Sequence, residues 1–180
     1  MTRTASSKGG ARRTGAPVCG LLAIAILVSG CETVKASPGL RHAAPSLDAL
    51  ATEVLSAFAA RDMTRLELLA LTEDEFRGLV WPALPASRSA AGIPVAYAWS
   101  DLRTKSRGTL QETLTSLAGQ RFDLLYVRFT GRVSDYGTFR VYRESLLDVR
   151  GSDGVTRRLR LFGSVIEHEG RVKVFSYVVD

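Results

Sequence analysis

Phe122-Asp123-Leu124-Leu125-Tyr126-Val127-Arg128-Phe129 is where this chain changes its period. Here Leu125, Val127 and Phe129 alternate with Leu124, Tyr126 and Arg128, the two-residue repeat of a strand with two unlike faces. The repeat returns three times. Phe139 and Val141 alternate with Arg140 and Tyr142, in a run reaching Val149. Leu159, Leu161, Gly163 and Val165 alternate with Arg158, Arg160, Phe162 and Ser164. Val172, Val174, Ser176 and Val178 alternate with Lys173, Phe175 and Tyr177. Ser152-Asp153-Gly154 and Glu169-Gly170 are turn signatures between runs. The pattern predicts four long strands in an antiparallel meander.

Upstream the apolar residues recur at three and four. Ser46 is placed to cap a helix carrying Leu47, Leu50, Ala51, Val54, Leu55 and Phe58. Asp62 or Thr64 starts a short second helix with Leu66, Leu69 and Ala70. Thr72, with Glu75 three residues on, is a capping box opening a third helix over Phe76, Leu79 and Val80, which Pro82 stops. Residues 82–94 read as an irregular crossing loop. A weaker fourth helix covers part of 95–118, with Leu110, Leu114 and Leu117 inward and Gly108 expected to break or bend it. Helices first and an antiparallel meander afterwards make an α+β fold, with N-terminal helices packed on one face of a curved four-stranded sheet. Residues 46–180 form this single domain.

Further upstream the composition changes. Residues 32–45 are small and polar, broken by Pro38, Gly39 and Pro45, and read as a flexible tether. Residues 18–28 are eleven uncharged apolar or small residues behind Arg12-Arg13. That is too short to span a bilayer, which takes about twenty, and suits a signal-peptide core. Val28-Ser29-Gly30-Cys31 closes it and resembles the bacterial lipobox. The resemblance implies a lipoprotein signal peptide over residues 1–30, cleavage between Gly30 and Cys31, and lipidation of Cys31 as the first mature residue. The tether is then residues 31–45. Glu32 in place of Asp favours the outer membrane, periplasmic side, as the address within the bacterial cell envelope.

Removing the leader changes the charge. The whole chain is +6, with 24 basic and 18 acidic residues. The first thirty residues hold four of the basic ones and no acid, leaving +2. Much of the basic character therefore belongs to the leader, and nucleic acid is not an expected partner. The chain has two cysteines. Cys19 falls within the leader and Cys31 takes the lipid, so neither is left for a disulfide, a metal or nucleophilic catalysis.

The helix Leu47–Ala60 running into Arg61-Asp62-Met63, and the closing segment Gly163-Ser164-Val165-Ile166-Glu167-His168-Glu169-Gly170-Arg171-Val172-Lys173-Val174, resemble the cystatin-like and nuclear transport factor 2-like α+β rolls. The resemblance covers roughly residues 46–180. It implies a cone whose bent sheet wraps the long helix and leaves a pocket at the open end. That superfamily includes isomerases, dehydratases, scaffold proteins and binding domains, and its enzymes usually set an Asp, Tyr or His in the pocket.

Trp81, Tyr97, Trp99, Tyr126 and Tyr142 are aromatics suited to lining such a pocket, and Asp123 supplies one acid. Core or rim packing is the plainer role for these rings. Glu167-His168-Glu169 is the only acid–imidazole cluster of the domain and reads as a solvated hairpin end. Arg158 and Arg160 share a strand face, with Lys173 expected beside them across a hairpin. Residues 121–180 carry 11 basic and 8 acidic residues, which points to a solvated face laced with cross-strand ion pairs. Zinc spacing and phosphate-binding glycine loops are missing, so no metal or cofactor is expected.

These readings favour a non-enzymatic binding or accessory module, anchored to the membrane by lipid. Its partner would be an envelope protein or an apolar or anionic envelope molecule. The alternative is an isomerase or dehydratase with Asp123 or His168 as base. One histidine in the whole domain, at a turn, weighs against acid–base catalysis.

Overall fold

The computed structural model describes residues 39–90, 92–117 and 119–179. The expected Gly30–Cys31 cleavage site, the lipidation expected at Cys31 and the expected leader over residues 1–30 lie outside the described residues.

Helix α1 spans Leu47–Ala60 and is capped by the Ser46 hydroxyl, which accepts from the Ala49 amide at 3.2 Å. Leu50, Ala51, Val54, Leu55 and Phe58 are buried along one stripe, as the spacing predicts. Arg61 ends the helix in the left-handed region, φ 56°. Asp62, rather than Thr64, caps α2 (Met63–Leu69), accepting from the Arg65 amide at 2.8 Å. Thr72 and Glu75 form the expected capping box at α3 (Glu73–Glu75). The coil then widens into a π-turn over Phe76–Val80, and Pro82 starts tighter turns.

The fourth helix, α4, is longer than its composition suggests, running unbroken over Val95–Leu117. Gly108 does not interrupt it. One exposed glycine costs a helix only about 1 kcal/mol, and α4 has offsetting contacts. Lys105 pairs with Asp101 one turn back, and Glu67 of α2 holds Arg103 and Arg107 at 3.5 and 3.2 Å.

The antiparallel strands form two sheets instead of one four-stranded meander. Strands β1 (Phe122–Phe129), β4 (Ser145–Gly151) and β5 (Thr156–Leu159) make a three-stranded sheet in the order β1-β4-β5. Strands β2 (Ser134–Asp135), β3 (Arg140–Arg143), β6 (Ser164–His168) and β7 (Arg171–Ser176) make the other, in the order β2-β3-β6-β7. Two of the long alternating runs each cross from one sheet to the other. The first turns at Glu144, φ 57°, between β3 and β4. The second turns between β5 and β6, where Gly163 accepts from the Glu144 amide at 2.7 Å and donates to the Ser176 carbonyl at 2.9 Å. A two-residue repeat reports side-chain faces and is blind to such a corner. The closing turn is as expected: Glu169 and Gly170 both have positive φ, as a tight hairpin turn requires.

Strand β1 also departs from strict alternation. Its register with β4 shifts between Leu124 and Tyr126, which makes Leu125 an extra residue. Phe122, Leu124, Val127 and Phe129 therefore pack on the core, whereas Leu125 is 46% and Tyr126 52% exposed.

Apolar side chains gather in two clusters, one holding β7's Val172 and Val174 and the other packing its neighbour Phe175. One lies between α1, α2 and both sheets and includes Leu50, Val54, Phe58, Leu147, Val165 and Val174. The other joins Val141 and Ile166 of the four-stranded sheet to Leu71, Phe76, Leu79 and Val80. The stretch after α2 thus covers a second sheet face. Residues 41–44, expected to belong to a flexible tether, are part of the fold. Ala43 and Ala44 are buried, Ala44 exchanges backbone bonds of 2.9 and 3.0 Å with Val172, and the Arg41 amide donates to Glu75 at 2.6 Å.

Candidate functional site

The six residues expected to line one pocket fall in separate places. Trp81 and Trp99 flank Phe76, with ring centres at 5.9 and 5.4 Å, and belong to the second core cluster. Tyr97 stands on α4, 67% exposed. Tyr126 lies on the solvent side of β1 beneath the Arg128 guanidinium, 5.5 Å from the ring centre. Tyr142 packs on Phe129 at 5.4 Å and donates its hydroxyl proton to Glu167. That bond to a carboxylate, with burial second, pushes the phenol's pKa up. Asp123 is exposed at the start of β1, bordering an open depression of about 390 Å³ against Thr52, Ser56 and Ala59 of α1.

His168 is not at a solvated turn. It is 6% exposed, and its Nδ1–H donates to the Thr138 carbonyl at 2.7 Å. Among the described residues Nε2 has no hydrogen-bond partner; it lies 3.8 Å from Glu169. Asp123 and His168 stand on different sheets, so the two candidate bases are not neighbours in one register.

Lys173 leaves the expected basic face altogether. It is fully buried, with Nζ 3.0 and 2.9 Å from the two oxygens of Glu75. Burial alone pushes a carboxylate's pKa up. Amide bonds from Thr72 and Arg41 and the Lys173 ammonium outweigh it, so Glu75 titrates below its ordinary range. Lys173 has only Glu75 against the same burial, and its pKa is lowered. Arg128 and Arg158 behave as the cross-strand reading predicts. Asp148 holds both Arg128 and Arg158 at 3.0 Å, and Arg157 pairs with Asp153 across the hairpin turn.

A further concavity lies where the two sheets part. It is an open cleft of about 370 Å³, with Leu102, Phe162 and Phe175 supplying apolar lining. Arg143, Glu144 and Arg160 bring charge, and Ser145, Ser164 and Ser176 line it as well. Ser145 is committed to the Phe162 carbonyl and Ser176 to the Val178 amide. The backbone corners at Glu144 and Gly163 place these side chains. A Cβ on Gly163 would sit 1.6 Å from the Val178 carbonyl oxygen, so the C-terminal segment passes directly over that glycine. Periodicity did not reveal this cleft; a glycine inside a strand pattern, a sign of close backbone approach, was the one available signal.

No family model, curated protein or solved structure matches this chain. The residues themselves carry the functional reading. Among the described residues no group of three His, Cys, Asp or Glu is placed to hold a metal ion, and no helix is long and apolar enough to cross a membrane.

Proposed function

We propose that this protein is a lipoprotein of the bacterial cell envelope, anchored through Cys31, whose folded domain is a non-enzymatic binding module. The supporting observation is the cleft between the sheets: apolar lining from Leu102, Phe162 and Phe175, with Arg143, Arg160 and Glu144 as its charged groups, two cations to one acid. That pairing suits an amphiphilic envelope molecule with an apolar body and an anionic head. The anchor is assigned to the outer membrane, periplasmic side.

In fold, we read the domain as a variant of the nuclear transport factor 2-like and cystatin-like rolls. Its long first helix against antiparallel sheets supports this. Its distinguishing feature is the segment from Leu71 to Leu102, which packs over the second face of the four-stranded sheet.

The test is recovery of the lipidated protein from its own envelope in mild detergent, with retained small molecules identified by mass spectrometry. The wild type is expected to carry an anionic amphiphile, and Arg143→Ala to retain about tenfold less, the loss of one charge-assisted contact. Equal retention by both proteins, or no reproducible companion, contradicts the reading.

A further inference from the structure

Strand β1 is eight residues long, sits at the end of its sheet and is hydrogen-bonded to β4 alone among the described strands. An open edge of this length is a template for another strand. Its residues also complement themselves. We propose that two copies of this chain join β1 to β1 in antiparallel fashion, about a two-fold axis perpendicular to the sheet and passing between Leu125 and Tyr126. The two three-stranded sheets become one of six.

The bulge at Leu125 selects this register. In a regular strand, an axis between two residues sets inward side chains opposite outward ones, because facing residues must share a side. The extra residue reverses that parity. Phe122 then faces the partner copy's Phe129, and Leu124 faces its Val127, all four on the core side. On the solvent side the exposed Leu125 meets the partner copy's Tyr126, covering two of the large apolar side chains the monomer leaves in water.

Charge agrees with the same register. Asp123 falls opposite Arg128 of the second copy, and the symmetry repeats the pair at the other end. Asp123 forms no ion pair among the described residues, whereas Asp148 already divides its charge between Arg128 and Arg158. The dimer supplies the exposed carboxylate with a guanidinium and gives the Arg128–Arg158 pair a second acid. The contact is isologous and closes on itself, so it forms a dimer and not a fibre.

The test uses charge exchange between copies in the full-length chain, in detergent, by sedimentation velocity. Asp123→Arg alone sets arginine against arginine twice, and Arg128→Asp alone sets aspartate against aspartate twice. Each is expected to raise the dimer dissociation constant by about a hundredfold, as like charges in contact do. Mixed in equal amounts, the two variants regain both attractive pairs and are expected to sediment as a dimer. That recovery also shows that neither variant is merely unfolded. A photo-crosslinker in place of Tyr126, activated in the envelope, is expected to give a product of twice the chain mass. A monomeric wild type, variants that dimerise as the wild type does, a mixture that stays monomeric, or a crosslink to a different protein overturns the proposal.

Discussion

Lys173→Met is expected to lower the unfolding free energy by about 3–5 kcal/mol, the cost of leaving one buried charge without its partner. Methionine fills a similar volume, so packing is largely kept. What is lost is the ammonium bound to both Glu75 oxygens in a site where Lys173 is fully buried and Glu75 1% exposed. The double variant Lys173→Met with Glu75→Gln is expected to be more stable than Lys173→Met alone, because a neutral amide costs less to bury than a lone carboxylate. Urea unfolding followed by circular dichroism separates these outcomes through the midpoint. A Lys173→Met protein as stable as the wild type contradicts the pairing.

The same pair predicts a pH dependence. In the folded protein Glu75 titrates below its ordinary 4.5. Its contribution to stability is therefore complete above that value and is lost as the pH falls through the lower, folded one. In Lys173→Met, burial acts on Glu75 without the ammonium to oppose it. That raises its folded-state value and narrows the gap to the unfolded one, so the stability lost on acidification, read from urea midpoints across the acid range, is expected to be smaller than in the wild type.

The second large effect is expected at Gly163. An alanine there needs the space of the Val178 carbonyl, whose oxygen and carbon lie 1.6 and 2.8 Å from the ideal Cβ position. Both are backbone atoms, so no rotamer change relieves the clash. The segment after β7 must move away, breaking the Gly163–Ser176 backbone bond and disturbing Tyr177. That ring is buried, donates to the Leu66 carbonyl at 2.8 Å, and its amide is bonded to Ser106 of α4. Overpacking of a core typically costs 1–3 kcal/mol. With these bonds lost as well, Gly163→Ala is expected to cost about 4 kcal/mol. Thermal unfolding checks it; an unchanged midpoint contradicts the close approach.

The helical half was legible because its signals are local. Ser46, Asp62 and Thr72-x-x-Glu75 act within one turn of chain, and each caps the helix it marks. Strand existence was legible too, and so was the Glu169-Gly170 turn. Sheet membership was not. It depends on corners at Glu144 and Gly163 that leave the alternation of side chains intact. The bulge at Leu125 was hidden because Leu124 and Leu125 are identical residues, and only pairing with β4 decides which one faces the core. Lys173 and His168 were misplaced for a related reason. A charged residue in an alternating strand reads as solvent-facing unless a second layer covers that face. Here Phe76, Leu79 and Val80 supply the layer and Glu75 the counter-charge.

The candidate site was legible only in part. The aromatic residues stand out in the sequence, but their destinations depend on the second cluster that takes Trp81 and Trp99 and on the solvent side of β1 that takes Tyr126. The cleft at Arg143, Glu144 and Gly163 is made by chain direction, to which residue type is a weak guide.

The proposed function depends first on the chemistry at Cys31, which the intact mass of the protein extracted from the membrane fraction tests most directly. The expected species begins at Cys31 and carries a diacylglycerol thioether, while Cys31→Ser stays unprocessed and unlipidated. A wild-type chain that still begins at Met1, or one cut elsewhere and free of lipid, contradicts the account.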